Sequence, residues 1–473
     1  MLEGIPARYA VAFVAFLNFF YVYMIRLNVN IVIVAMVNYT AIPHTNVTTA
    51  QECGQPEEEQ AAYPDADQQD DGEFVWDEKI QSLVSVSFFW GYIVTQLIGG
   101  RIAEKFGTKY MFAGAQMTAG LVTVCLPILA RSGTEFFIAG RILLGLAQGV
   151  IVPSIQPLVA KWAPTGERSS ITTFIFSGAQ VGTVLGITCS GLIADSLGWE
   201  AVFYIQGSLA VVVVAAWLHV VYDSPELHPR ISAKEREYIK SSTFTPANKA
   251  LAVPWKSIAT SVPCWALLVS TLGNNWAFYM LITQLPIYMK TILHFDMKSN
   301  ALLSALPYLV MWILSLLVAQ FADLTARKGW ASTNVIRKTA NSVAKLGPAL
   351  CLLMVSFTGC DRLSTLILLV LAVGLQGAVF SGFLINHLDM APNFSGTIYG
   401  IISGLASVNS WLAPLVVASL TEAQQTLSQW RIAFLLCSSI LVIDAFVFLL
   451  FGSTERQPWD KEEIQQTEPT ELN

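Results

Sequence analysis

The chain has 473 residues, of which 54% are hydrophobic and only 13% charged; soluble domains carry roughly 25% charged residues. Its net charge of −6 is unevenly spread, because eleven acids and no Lys or Arg lie between Tyr39 and Glu78. This composition, with apolar runs recurring from end to end, excludes a soluble globular protein.

A helix that crosses a bilayer needs about 20 mostly apolar residues. Twelve runs are candidates, the ninth of them short: 9–37, 80–100, 110–130, 135–159, 170–193, 200–222, 263–289, 299–322, 343–358, 363–387, 398–420 and 432–452. The first has no small-residue cleavage site after it, which marks a retained helix rather than a signal peptide. The expected fold is therefore an all-α polytopic membrane protein with twelve transmembrane helices. With the N-terminus inside, 19 of the 27 Lys and Arg, Lys345 among them, fall on inner segments. Six fall outside and two, Arg26 and Arg141, remain in the membrane. That bias obeys the positive-inside rule.

Arg26 stands deep in the first run, 17 residues after Tyr9 and 11 before Val37, roughly 26 and 17 Å along a helix. That is far for snorkelling, and a charge at this depth costs several kcal/mol, about 2.5–3.5 on the gentlest scale. Asn18, Val22, Arg26 and Asn30 share one helical face, a half-polar stripe expected to face a wet interior. Tyr21 and Tyr23, with Phe88, Phe89 and Tyr92 of the second run, are candidate cavity aromatics or simple packing.

The acidic stretch 39–78 faces outward or into a lumen. It has a disordered-type composition and is assigned no structure. Asn38-Tyr-Thr40 and Asn46-Val-Thr48 are glycosylation sequons there; Asn38 lies close to the bilayer. A third match at Asn393 falls on an inner loop. Cys53 and Cys360 are the two cysteines expected outside, either paired as a disulfide or free.

The fourth run opens with Arg141 in GRILLGLAQGVIVP (140–153). Gly145 and Gly149 thin this helix, and Gln148 shares a face with Arg141. Arg141 is either an anchor at the outer headgroups or a second cation lining a cavity. No acid in the first eleven runs pairs with Arg26 or Arg141, and an anionic substrate would supply the missing partner. A guanidinium fork suits carboxylate or phosphate because it makes two parallel hydrogen bonds. The seventh run adds Asn274, Asn275, Trp276 and Tyr279. His387, with Asn386 and Asp389, reads as a hydrogen-bonded cluster at the inner end of the tenth run. Asp444 is the one acid inside a run rather than at its end, with a local bond favoured over ion coupling.

The chain divides into an N-terminal half (1–222), a basic linker (223–262), a C-terminal half (263–452) and an inner tail (453–473). GGRIAEKFGTK (99–109) after the second run is echoed by AQFADLTARKG (319–329) after the eighth, and Trp199 by Trp430. Two related six-helix halves mark a rocking transporter with its site at the midplane.

GGRIAEKFGTK resembles the loop signature of the major facilitator superfamily. FFWGYIVTQLIGG (88–100), KWAPTGERS (161–169), GWEAVFYIQGS (198–208), INHLDMAP (385–392) and QPW (457–459) are similar to one branch of it. That branch, solute carrier family 17, holds the anion transporters that include sialin, the vesicular glutamate transporters and the sodium–phosphate cotransporters. The resemblance spans about residues 8–460. It implies the major facilitator fold and a conformational latch at Gly100, Glu104, Lys105, Gly107 and Lys109, with Asp323 in the second half. It also implies anion recognition or gating at Arg26 and Arg141. Proton-coupled relatives carry Glu where this chain has Leu144 and Gln148. The glutamate carriers have Arg at the position of Asn274 and His at that of Ser85, so the chain resembles sialin and its near relatives more closely.

The expected function is alternating-access transport of an organic or inorganic anion, such as an acidic sugar, an amino acid or phosphate, with Arg26, Arg141, Asn30, Gln148, Asn274, Asn275 and Tyr279 as substrate residues. Leu144 and Gln148 cannot titrate, and the remaining proton candidates, His387 and Asp444, read as peripheral, so coupling to sodium or to the membrane potential is favoured over proton symport of the sialin type. Asn18, Asn30, Gln148, Asn274 and Asn275 offer oxygens for sodium. A non-transporting sensor or scaffold is the remote alternative. No nucleotide loop, metal cluster or catalytic constellation is present in the sequence, so no enzyme, cofactor or resident metal is expected. The expected partners are the anion and membrane lipid, with no nucleic acid, and the expected state is a monomer in the plasma membrane or a lysosomal or vesicular membrane.

Overall fold

The structure, a computed structural model, describes residues 6–38, 72–242, 251–293, 297–421 and 426–460. Its N-terminal half holds α1 (Ala7–Met36), α2 (Glu78–Phe106), α3 (Thr108–Ser132), α4 (Thr134–Gly149), α5 (Ile151–Trp162), α6 (Arg168–Leu197) and α7 (Trp199–Val220). The linker holds two short helices, α8 (Ala233–Ser242) and α9 (Trp255–Thr260). The C-terminal half holds α10 (Val262–Thr291), α11 (Met297–Arg327), α12 (Thr333–Val355), α13 (Arg362–Gln376), α14 (Asn386–Met390), α15 (Ser395–Ala406), α16 (Asn409–Thr421) and α17 (Leu427–Phe451).

Among the described residues, ten segments are long and apolar enough to cross a bilayer. Two further long helices, α10 and α12, complete the twelve spans. Start signals are local: Asp77, Ser332, Asp361 and Thr426 cap α2, α12, α13 and α17 through their side chains, satisfying amide groups that the first turn leaves unpaired. The fourth span is split into α4 and α5 because Pro153 has no N–H to give Gly149. Large apolar side chains such as Val212, Leu324 and Leu450 cover the outer surface, as lipid requires.

One expected boundary is corrected. The ninth span does not cover 343–358; its helix runs Thr333–Val355. Lys345 therefore lies halfway along a spanning helix, not on an inner segment, and is fully buried. Arg337, Asn341 and Lys345, four residues apart, form one buried stripe, while Val335, Val343 and Leu350 are exposed. The helix turns its polar face to the bundle and its apolar face to lipid, so a count of apolar residues misses its first turns.

Helices within each half approach closely where glycine permits. A Cβ on Gly182 of α6 would stand 2.2 Å from the Phe20 carbonyl oxygen of α1. One on Gly145 of α4 would stand 2.0 Å from the Phe88 carbonyl oxygen of α2. Such small-residue contacts hold membrane helices together in place of the hydrophobic effect. They pair α1 with α6 and α2 with α4; α1 and α4 carry the two intramembrane arginines, and α2 carries Phe88 and Tyr92 beside them.

Candidate functional site

Arg26 of α1 and Arg141 of α4 are 6% and 2% exposed. The Arg26 guanidinium lies 4.5 Å from the Tyr23 ring, 4.6 Å from Tyr92 and 5.2 Å from Phe88. Arg141 stands 5.3 Å from the same Phe88 ring. Arg26 Nε donates to Gln148 Oε1 at 3.2 Å, and Gln148 Nε2 donates to the Val22 carbonyl at 3.4 Å. Among the described residues neither arginine makes an ion pair. Arg26 Nη2 and Arg141 Nε and Nη1 are buried without a hydrogen-bond partner. Aromatic faces stabilise a cation by their quadrupole without neutralising its charge, so the full charge remains available to a ligand.

The C-terminal half closes on this centre with aromatic rings. Tyr279 of α10 is 6.3 Å from Phe89. Tyr399 of α15 and Tyr23 of α1 pack against the same apolar cluster. The other expected substrate residues are dispersed. Asn30 is exposed. Asn275 Nδ2 donates to the Ala406 carbonyl at 3.2 Å. Asn274 Oδ1 accepts from Lys345 Nζ at 3.2 Å. Asn18 is buried within its own half and bonded to Val14.

On the side that carries the basic loops the two halves are tied together. Glu104 at the end of α2 accepts from Thr397 N at 2.8 Å, so it caps the first turn of α15 in the other half. Asp323 of α11 accepts from Ser169 N and Ser170 N at 3.1 and 2.7 Å and caps the first turn of α6 in return. Each acid satisfies amide groups at a helix N-terminus, where the helix dipole also favours negative charge. Gly100 meets Gly396 backbone to backbone; a Cβ on Gly100 would stand 1.8 Å from the Gly396 oxygen. Lys105, Gly107 and Lys109 stay within the N-terminal half. Lys105 lies over Phe106 and Lys109 over Tyr222, while Gly107, at φ +88°, makes the turn between α2 and α3.

The Asn386–His387–Asp389 cluster reaches across the halves and is not local. Asp389 accepts from Arg168 Nη1 of the N-terminal half at 2.7 Å and from Arg337 Nε at 2.9 Å. His387 Nε2 lies 3.1 Å from Gln156 Oε1. Asn386 Nδ2 donates to the Ser453 carbonyl of the tail.

The family model of the Major Facilitator Superfamily matches residues 11–414. The chain belongs to the major facilitator superfamily. Relatives place it in the branch of anion transporters. A Drosophila ananassae protein named "Putative inorganic phosphate cotransporter" is 38% identical, over 96% of this chain and 94% of that protein. Human sialin is 36% identical over 96% of this chain and 90% of sialin. Vesicular glutamate transporter 1 of Xenopus tropicalis is 34% identical over 97% and 77%. The proton:xylose symporter XylE shares the fold with a TM-score of 0.68 at 15% identity, over 97% of this chain and 98% of the symporter. The human organic anion transporter MFSD10 gives 0.65 at 14%, over 94% and 100%. This member of the superfamily is thus a multi-pass membrane protein and a transporter, not an enzyme.

The superfamily fold also explains residues that sequence reasoning left out. Arg168, Arg337 and Tyr399 escaped notice because charges near span ends look like topology signals and a tyrosine in a span looks like packing. One signal was available. Ala163-Pro164 and Ala391-Pro392 each precede a short 3₁₀ turn and then a helix, α6 or α15. These are the two helix starts that the opposite half caps.

Cys360 is disulfide-bonded, and Cys125, Cys189, Cys264, Cys351 and Cys437 are free. Cys53 and the sequon residue Asn46 lie outside the described residues. Asn38 lies at the end of α1, where its N–H donates to the Phe74 carbonyl at 2.8 Å.

Proposed function

We propose that this transporter moves a small anion across its membrane by alternating access, and that Arg26 and Arg141 receive the anion. The observation that carries this is the pair of buried guanidiniums with unpartnered N–H groups and no ion pair among the described residues. An unpaired arginine at membrane depth is costly, and a bound carboxylate or phosphate offsets that cost. The names of the relatives support an anion, organic or inorganic. The inner ties between the halves fit a state closed toward the cytoplasm, from which the latch at Glu104 and Asp323 releases during the cycle. Plasma membrane and lysosomal or vesicular membranes both fit.

For the driving force, we infer sodium or the membrane potential rather than a proton. Leu144 and Gln148 cannot titrate, and Arg26 and Arg141 stay protonated. Uptake into liposomes under separate sodium, proton and voltage gradients tests this. Uptake is expected to follow sodium or voltage; uptake driven by a pH gradient alone, with sodium absent and voltage clamped, would establish proton symport instead. Gln148→Glu sharpens the test. Gln148 Oε1 sits 3.2 Å from Arg26 Nε, so an ionised Glu there pairs with Arg26 and competes with the anion. Protonation releases Arg26, so the variant's uptake is expected to rise as pH falls while the wild type's does not.

The proposed topology puts both termini inside and the acidic stretch 39–78 outside. Glycosidase treatment of protein from animal cells is expected to shift its mobility, and Asn46→Gln to remove most of that shift. An unmodified protein at Asn46 contradicts the assignment of that sequon.

A further inference from the structure

A second buried charge cluster lies wholly within the C-terminal half, where three helices meet. Lys345 of α12 and Asp444 of α17 have side chains 0% and 1% exposed, with Nζ 2.8 Å from Asp444 Oδ2. The ammonium also donates to the Asn274 Oδ1 amide oxygen and to the Ser270 main-chain carbonyl of α10, each at 3.2 Å. An ammonium has three donors and no acceptor; two go to the Ser270 and Asn274 oxygens, and the Asp444 carboxylate faces the charge as an ion pair. The Phe383 ring, 4.8 Å away, adds an aromatic face. Gly273 leaves room for the carboxylate, since a Cβ there would stand 2.6 Å from Asp444 Oδ2. The Ser270 hydroxyl is held by Asn341 Oδ1 at 3.3 Å.

A carboxylate, an amide oxygen and a main-chain carbonyl converging in a dry interior are the donor set that hard cations take. The net charge of that set is −1, which suits a monovalent ion. We propose that this cradle is a monovalent cation site whose cation is built into the chain: the Lys345 ammonium occupies the place a sodium ion would take. The tether makes the site permanently filled, so α10, α12 and α17 hold together without a dissolved ion. It follows that removing the ammonium while keeping the three oxygens opens the site to free sodium. This stands apart from the anion reading, since it concerns occupancy of the cradle and not transport.

The test is thermal unfolding of the purified full-length protein in detergent, in sodium chloride and in choline chloride at equal ionic strength. Lys345→Met leaves Asp444 buried and uncompensated, which is strongly destabilising. Its midpoint is expected to fall in choline and to climb with sodium concentration, as mass action requires of a ligand that binds the folded state. The climb should exceed any seen in the wild type. Combining Lys345→Met with Asp444→Asn is expected to restore folding in choline and to bring the sodium response down to the wild-type level. Lys345→Gln guards against a Met variant that fails to fold, because its amide can donate to Asp444 while the cradle keeps its net negative charge. It is expected to fold in choline and to gain a smaller sodium response. A sodium response no greater than that of the wild type in either single variant overturns the proposal, as does a double variant that keeps the full response.

Discussion

Arg26→Ala is expected to reduce uptake at low anion concentration by roughly 10- to 150-fold, and Arg141→Ala by a similar factor. A hydrogen bond to a charged group contributes about 1.5–3 kcal/mol, and each ~1.4 kcal/mol is tenfold in affinity. The surroundings argue for the upper end. Arg26 is flanked by Tyr23, Phe88 and Tyr92, and Arg141 shares Phe88 with it. These rings exclude water without supplying a negative charge, so an arriving anion meets two cations at low local dielectric, where Coulomb attraction is strongest. Folding should survive either change. No ion pair to either arginine is broken among the described residues, and only the Gln148 oxygen loses a donor. Lysine at either position should rescue poorly, because an ammonium is a point charge and cannot grip two oxygens in parallel. The check is uptake by purified variants in liposomes alongside their unfolding temperatures. Unchanged transport kinetics in both alanine variants would remove the arginines from the substrate path.

The spans and the two arginines were legible because the bilayer is a demanding solvent. It forces runs of about 20 apolar residues, and a charge that interrupts such a run has few innocent explanations. Lys345 was hidden by the same logic applied too simply. Hydropathy counts residues without regard to helix rotation, and α12 turns Arg337, Asn341 and Lys345 inward while it shows valine and leucine to lipid. Once Lys345 is inside, Asn274 follows it, because its amide oxygen on α10 accepts from that ammonium. Asp444, whose sequence context points to a local bond, pairs with Lys345 of α12. The inner ties were least visible. Arg168 and Asp389 are 221 residues apart, and each sits where the positive-inside rule or a helix end already accounts for a charge. Only the packing of one half on the other shows that they meet.

The Asp389 carboxylate is expected to be the most sensitive point of the inner closure. It takes Arg168 Nη1 on one oxygen and Arg337 Nε on the other, with all three side chains at least nine-tenths buried. Arg337 continues the tie through Nη1 to the Ser169 hydroxyl at 2.9 Å, the residue whose amide Asp323 caps. Asp389→Asn leaves two like charges buried together without their counter-ion. Breaking a buried pair from one side costs about 3–5 kcal/mol. That cost falls on the closed state alone, because opening the inner side hydrates both arginines. The population ratio should therefore move toward the state open to the cytoplasm by roughly 150-fold or more. A carrier that seldom returns to the outward side takes up little from outside, so uptake should collapse while the protein still folds. The readout is Thr173→Cys, one helical turn beyond Ser169 and fully buried. In inside-out vesicles an impermeant maleimide should label it slowly in the Thr173→Cys background and far faster once Asp389→Asn is added. Changing Arg168 and Arg337 to Gln as well removes the repulsion and should return labelling part of the way. If Asp389→Asn leaves both labelling and uptake as they were, the closure is held elsewhere, at Glu104 and Asp323, whose paired caps would then have to carry it alone.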